Sequence, residues 1–552
     1  MWMMGTRGLA AALAVGLAGP VLAAGPSYAV NPSDAKKFYR TNFDTQTIAT
    51  TCRAKSVTQA IYDPVANTTF VVYAAGFTSE PTGVPGVQFS AASPTIISYN
   101  HNWNFWEGPG ELDDVSSVPF GNSDCHNYPQ ILIDDEGYLH VFHSFHAAGL
   151  NIRHYASEFP HSILGIWSSQ EIPGTEHNTY GAAFRDNDGE MYVFFRSSYN
   201  KWDTVVPPRL WWYEPEMYVK SVDGGWEWDA PKLVVNPGRP SLLDNTEAAT
   251  VTSLINNGGF NSIYTGDMHQ DTATNRVSMI SAPTYSHTER WGNHLYFSFD
   301  MDDDQVYSAG GVSQGATLDR TEYLTNNCCT LYTSDALFLE RLSYYGHGIS
   351  AQITLENGNP VVYHTRFESI NPGAGTNTDA YYQGGWTRLR KATWNGSTFI
   401  STYLSGVANP ALDPFNRDPV SGQALGVYGV FDAEYRPGKG TDLYIKTKWG
   451  GVDFWTGHPE YDSWDAVNGK YQWPLRVYNS LRGWGTSHRL FGDHPDWEVR
   501  GTSNFSLIPN SHPDIRAFVK VPKYSPTAIS AGRDRAWAIG ADYVYGEANL
   551  AP

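Results

Sequence analysis

Imidazole, phenol and guanidinium groups stand at matching distances from turn-forming glycines in this 552-residue chain. In DCHNYPQILIDDEGYLHVFHSFH, from Asp124 to His146, the β-prone runs Ile131–Ile133 and Tyr138–Phe142 flank the acidic, glycine-closed turn Asp134-Asp135-Glu136-Gly137. His126 precedes the first run and His146 follows the second, so closing the hairpin brings both imidazoles to the end opposite the turn. The layout returns further on. Tyr180 lies 9 residues before Gly189 and Arg196 lies 7 beyond it; His347 lies 11 before Gly358 and Arg366 lies 8 beyond it. Glu247 takes the leading place before Gly258.

These groups include no convergent pair of carboxylates, which an ordinary glycosidase needs on either side of the scissile bond. They suit β-elimination next to a uronate carboxylate. There the carboxylate is neutralised, the weakly acidic C5 proton is removed, and the departing O4 is protonated. In glucuronate the C5 hydrogen and the C4 oxygen share one face of the ring, so the elimination is syn and one side chain, or two adjacent ones, serves as base and acid. Arg196 is assigned to the carboxylate, with His126 and Asn127 stabilising the enolate-like charge. His146 is the first choice for base and Tyr180 for acid; an exchange of roles, or Tyr180 doing both, stays open, because a phenol base needs a depressed pKa that sequence does not reveal. The plain structural alternative has the histidines and Tyr180 filling a channel, with the arginines paired to acids such as Glu247.

Something must hold these groups together, and the repeats supply it. A turn followed by a strand recurs at Asn67 into Phe70–Tyr73, Gly137 into Tyr138–His143, Gly189 into Met191–Phe195, Gly258-Gly259 into Ser262–Tyr264, Gly358 into Pro360–Tyr363, and Gly440 into Leu443–Ile445. Intervals of about 50 to 100 residues exceed those of compact propeller repeats and fit blades with long loops. Ser221-Val222-Asp223-Gly224-Gly225-Trp226-Glu227-Trp228 fits the Asp-box turn S-x-D-x-G-x-x-W, in which the Asp carboxylate accepts turn amides and glycine allows positive φ. Six markers with room for one more predict an all-β, seven-bladed β-propeller of four-stranded antiparallel blades. Residues 30–552 are expected to form one domain.

Composition agrees with that architecture. Aromatic residues make up 14% and charged residues only 17%, with 52 Gly and 33 Pro for turns. Arg7, the apolar run Leu9–Leu22 and the small residues after it read as an export signal over residues 1–24, with cleavage as late as 29, so a secreted, extracellular monomer without a membrane anchor is expected. A net charge of -19 argues against nucleic acid as partner. Four cysteines in an oxidising compartment allow three pairings, and the adjacent Cys328 and Cys329 are expected to reach separate partners. A zinc site at Cys125 with nearby histidines lacks a CxxC spacing.

DCHNYPQILIDDEGYLHVFHSFH and TYGAAFRDNDGEMYVFFR resemble blades of the secreted BNR-repeat propeller lyases, namely ulvan lyases and the rhamnose-glucuronate lyases that act on gum arabic. The likeness covers about Asp124 to Trp228; elsewhere it is architectural, and His347 and Arg366, expected to bind substrate, rest on the repeat alignment. It implies that His126, His146, Tyr180 and Arg196 form the catalytic cluster. It further implies an acidic saccharide partner, cleaved at an α-L-rhamnosyl-(1,4)-D-glucuronate bond to leave a 4,5-unsaturated uronate. The export signal and the sequons at Asn67, Asn395 and Asn504 tilt the substrate toward the plant-gum side chain over ulvan. No cofactor is required for this chemistry; some relatives hold a structural metal ion whose ligands are not matched here. Two other readings compete. A sialidase-type hydrolase shares the Asp-box but needs an F-R-I-P type motif that is absent, and a sugar-binding propeller should repeat its binding residues from blade to blade.

Overall fold

The structure is a computed structural model that describes residues 39–40, 47–48, 58–76, 92–113, 129–145, 149–197, 199–203, 209–221, 223–237, 259–286, 294–319, 322, 328–329, 331, 351–368, 386–404, 425–449, 464–465, 470–471, 475–481, 483–484, 504–521 and 535–539. Every element named among the described residues is a β-strand. Among the described residues no helix is long and apolar enough to cross a membrane. Among the described residues, seven sheets of four or more strands follow one another, with a separate two-stranded ribbon.

The expected hairpins seed most of these sheets. In the second sheet Pro129–Ile133 pairs with Leu139–His143, then come Arg153–Ala156 and Ser168–Glu171. Its turn closes as the acidic stretch requires: Asp134 Oδ1 accepts the amides of Glu136 at 3.0 Å and Tyr138 at 2.8 Å, and Gly137 takes φ of 92°. The third sheet runs Asn178–Arg185, Met191–Ser197, Glu216–Ser221 and Lys232–Asn236, with Leu318–Asp319 added in parallel. Its Asp-box behaves as the motif demands. Asp223 Oδ1 accepts the amides of Trp226 and Glu227 at 2.9 and 2.6 Å, and Trp228 packs against the apolar layer between the second and third sheets.

One repeat was misaligned. Gly258-Gly259 does not close a hairpin: Gly259 begins the long strand Gly259–Asp271, and the turn to Arg276–Ser286 is Thr272–Asn275, with Asn275 at φ 52°. An asparagine in the left-handed region replaces the glycine that the pattern sought. The place given to Glu247 therefore falls, and Glu247 itself lies outside the described residues. The cysteine expectation is also corrected. Cys328 and Cys329 are joined to each other, and the Cys329 carbonyl accepts Tyr296 N–H at 2.8 Å. Cys52, Cys125 and residues 1–38 lie outside the described residues.

Consecutive sheets face one another across apolar layers. Phe70, Val72 and Ile96 of the first meet Ile131, Leu139 and Val141 of the second, and Tyr192 and Phe194 of the third meet Met279 and Phe297 of the fourth. Each such aromatic or branched side chain buries apolar area worth about 1.5–3 kcal/mol against exposure. Polar latches cross the same gaps near the innermost strands: Gln130 Oε1 accepts Ala183 N–H at 2.7 Å, Asp267 Oδ2 accepts Ile353 N–H at 2.6 Å, and Asp432 Oδ2 accepts Leu507 N–H at 2.7 Å.

Burial, only partly offset by the amide it accepts, pushes the Asp267 carboxyl up to about 8, and burial raises Asp432 to about 7. Both values lie above those of an unfolded Asp, so the folded chain holds these protons more tightly. The stability they confer is complete below an unfolded Asp's range, near pH 4, and is lost as pH rises through 7 to 8. Asp267→Asn, which keeps the amide acceptor without the titration, is expected to flatten the fall in melting temperature between pH 5 and pH 8 or above, read by calorimetry across that range.

Candidate active site

The start of the third sheet breaks its register at one place. Thr179 pairs with Arg196 and Ala182 with Phe194, leaving Tyr180 and Gly181 in a bulge. Tyr180 takes φ of 57°, a conformation that a bulky residue rarely adopts unless its surroundings impose it. Gln130, on the innermost strand of the second sheet, imposes it: its Nε2 donates to the Gly181 carbonyl while its Oε1 accepts Ala183 N–H. Asn178 secures the approach by accepting Phe145 N–H at 2.6 Å and donating to the Leu150 and Thr175 carbonyls at 2.7 and 2.8 Å. A Cβ on Gly181 would stand 3.2 Å from Gln130 Nε2 and 3.4 Å from Ser144 Cβ. Gly181→Ala is accordingly expected to displace Tyr180 and to reduce turnover well before it lowers melting temperature, a split that parallel kinetics and calorimetry read.

Directly across the pair of strands, Arg196 lies buried with its guanidinium carbon 4.8 Å from the Tyr180 ring centroid and 4.3 Å from that of Tyr264. The two rings are 6.3 Å apart. Nη1 sits 3.2 Å from Glu214 Oε2 and 3.4 Å from Ser262 Oγ. Burial lowers the pKa of the guanidinium, but the Glu214 carboxylate outweighs it, with Tyr264 and Tyr180 adding to the effect, and the pKa is raised above the ordinary arginine value. A fixed positive charge thus lies beside two phenols in a region of low dielectric.

Glu214, Ser262 and Tyr264 were not found from sequence. Glu214 ends the strand Arg209–Glu214, which adds in parallel to Gly259–Asp271 so that Glu214 stands opposite Ser262. No local pattern announces such a pairing; the WWYEPE stretch offered only a charged residue before a proline. The guanidinium that the sequence reading assigned to a substrate carboxylate is therefore already engaged by a carboxylate of the chain, with Nε unpartnered among the described residues.

Unpaired polar atoms collect at this end of the strands. Ser144 Oγ, Thr179 Oγ1, Ser197 Oγ and Arg196 Nε are buried without a hydrogen-bond partner among the described residues. Buried polar groups are ordinarily paired, so a concentration of exceptions marks a place for water or a ligand. His143, at the end of Leu139–His143, adds two more such atoms; burial, and secondarily the Arg153 charge, pushes its pKa down to about 3, so its ring is neutral. In the sequence nothing sets His143 apart from the strand that it ends.

Of the residues singled out from sequence, Tyr180 and Arg196 are brought together. His126, Asn127, His146 and His347 lie outside the described residues. Arg366 lies on Asn359–Glu368, opposite Arg388, and its side chain is outside the description. In the sequence His126 and Asn127 come just before Pro129, and His146 comes just after Phe145. No cluster of metal-ligand type gathers at this site among the described residues.

Comparison with known proteins bears on the segment that carries these groups. Residues 96–206 match the model of the BNR repeat-containing family. The ulvan lyase of Pseudoalteromonas sp. strain PLSV is 29% identical over 172 residues, covering 28% of this chain and 32% of the relative. The ulvan lyase of Alteromonas sp. strain LOR is 29% identical over 155 residues, or 25% of this chain and 29% of the relative. These alignments span about a third of the curated relatives' length. Structural likeness reaches further: a solved polysaccharide lyase described as a PL25 ulvan lyase superposes with a TM-score of 0.56 over 90% of this chain and 95% of its own, at 18% identity.

The chain resembles the BNR-repeat polysaccharide lyase propellers. The matched segment contains His126, Asn127, His146, Tyr180 and Arg196, the second sheet and the innermost hairpin of the third. A second structure of the PL25 ulvan lyase, bound to -[GlcA(1-4)Rha3S]-, superposes with a TM-score of 0.54 at 17% identity over 90% of this chain and 96% of its own. At such identities the likeness establishes the architecture, all-β with propeller-like four-stranded sheets.

Proposed function

We propose that the protein is a polysaccharide lyase that cleaves an α-L-rhamnosyl-(1,4)-D-glucuronate bond by syn β-elimination, leaving a 4,5-unsaturated uronate. The observation that carries this reading is a strained tyrosine held against a buried, carboxylate-anchored arginine within the segment that matches the BNR family. Tyr180 exchanges protons with C5 and O4 on one face of the sugar. The charge of Arg196 draws in the uronate carboxylate, while Glu214 and Ser262 keep the guanidinium in place. His126, His146 and Asn127 complete the catalytic set and carry the enolate-like charge. His347 and Arg366 bind further sugars of the substrate.

Ulvan is the substrate this reading favours first, since the curated relatives are ulvan lyases and a structural relative was solved with a glucuronate–rhamnose sulfate segment; gum arabic side chains present the same bond. The sheets close into a seven-bladed ring formed by residues 30–552, which is exported as a monomer after removal of its first 24 to 29 residues. Ultraviolet absorbance of the unsaturated uronate on mixing the protein with each polymer tests the activity. A rise on either polymer supports elimination; flat traces on both, with saccharide binding intact, favour a sugar-binding propeller.

A further inference from the structure

At the opposite end of the strands from Tyr180, the first and last sheets meet. The seventh sheet, Asn504–Leu507, Ala517–Val521 and Arg535–Ile539, is completed by Tyr39–Arg40 from the other end of the chain. Its Ile508 and Ile515 pack on Val71, Ile97 and Tyr99 of the first sheet, whose strands include Thr68–Gly76 and Ala92–Asn100. Two turns face each other across this seam: His101 immediately follows Asn100, and His512 with Asp514 lies in the turn between Leu507 and Ala517.

We propose that His101, His512 and Asp514 form a binding site for one divalent metal ion of the zinc class, stapling the first sheet to the last. One ligand atom from each lies within 4.8 Å of the other two. Asp514 Oδ2 is 3.9 Å from His101 Nδ1 and 3.6 Å from His512 Nδ1. Ligands on a tetrahedral ion with bonds of about 2.0–2.1 Å stand about 3.4 Å apart, so small rotations close the set. Asp514 is the exposed member and free to make them.

The second observation is the state of His101. Its side chain is 1% exposed, yet Nδ1, the atom turned toward Asp514, has no hydrogen-bond partner among the described residues. Its other nitrogen, Nε2, lies 2.8 Å from Thr69 Oγ1. With the proton on Nε2 donated to that hydroxyl, Nδ1 presents a lone pair into the seam, the arrangement in which metal-bound histidines are oriented by a partner on the far nitrogen. His512 is prepared likewise: Asp514 N–H donates to its Nδ1 at 3.2 Å, a weak bond to the lone pair that a metal would take over. The imidazoles stack at 3.8 Å, with the Tyr62 ring at 5.6 and 5.5 Å from the two of them, so their ring positions are fixed in advance. Two imidazole nitrogens and one carboxylate oxygen select a borderline ion over calcium or magnesium, and a water fills the fourth position. The site is remote from Tyr180 and Arg196, so its role is structural, and it stands or falls independently of the proposed catalysis.

The test titrates the full chain, stripped with chelator and carrying no histidine tag, with Zn²⁺ by calorimetry and with Co²⁺ by visible absorption. One equivalent should bind, Co²⁺ should show d–d bands without the intense near-ultraviolet charge transfer of a thiolate ligand, and Zn²⁺ should raise the melting temperature. His512→Ala and Asp514→Ala change only half-buried and exposed side chains, so they fold, as far-ultraviolet dichroism checks; both should lose the site. Thr69→Val, which keeps the ligands, should bind about 10–100-fold more weakly. Failure of Zn²⁺ and Co²⁺ to bind at one equivalent, or equal binding by the parent and both ligand variants, overturns the proposal.

Discussion

Tyr180→Phe should abolish nearly all turnover, by about 10²- to 10⁴-fold, the range that a general acid-base group contributes. The substitution leaves the aromatic ring stacked 4.8 Å from Arg196 and so preserves the packing of the buried pair. Melting temperature and saccharide affinity should therefore stay close to those of the parent while kcat collapses. That split separates a proton-transfer role from a packing role, because a ring that merely filled the space between Arg196 and Tyr264 would be equally well served by Phe. Kinetics on ulvan and gum arabic, with melting curves on the same samples, read both quantities. Retained kcat would remove Tyr180 from the chemistry.

Arg196→Met should do two things at once. It strands the buried Glu214 carboxylate without its partner, and breaking a buried ion pair from one side costs about 3–5 kcal/mol of stability. It also removes the positive charge beside Tyr180, which should lower turnover by about 10²- to 10³-fold, as loss of a preorganised electrostatic contact does. Combining Arg196→Met with Glu214→Gln removes both charges. The double variant should recover most of the lost stability, measured by chemical denaturation, and none of the activity. Recovery of both would mean that Arg196 matters only as a partner for Glu214.

Where turn chemistry is local, the sequence announces the structure. Asp134 and Gly137 close their hairpin as read, and Ser221, Asp223 and Gly225 build the Asp-box through bonds within a few residues. Tyr180 and Arg196 were aligned by their distance from one glycine, and antiparallel pairing across that turn places Thr179 opposite Arg196. The pattern failed where another residue does the work of glycine. Asn275 and Asn510 take positive φ in the hairpin turns of the fourth and seventh sheets, so Gly258-Gly259 drew the alignment away from the true turn and the last hairpin gave no marker. Glu214 was illegible for a different reason. Its partnership with Arg196 depends on a parallel strand pairing between Arg209–Glu214 and a strand that begins at Gly259, which no periodicity encodes. His101 and His512, more than four hundred positions apart, meet only because the last sheet packs on the first.

The most direct test of the central claim is the mass of the fragments released from ulvan and from gum arabic. Elimination beside Tyr180 and Arg196 predicts fragments whose non-reducing end is a uronate lacking the elements of one water, produced by the parent and absent with Tyr180→Phe. Fragments that have gained a water at the cleaved bond, or dehydrated fragments formed equally well by Tyr180→Phe, would contradict the account.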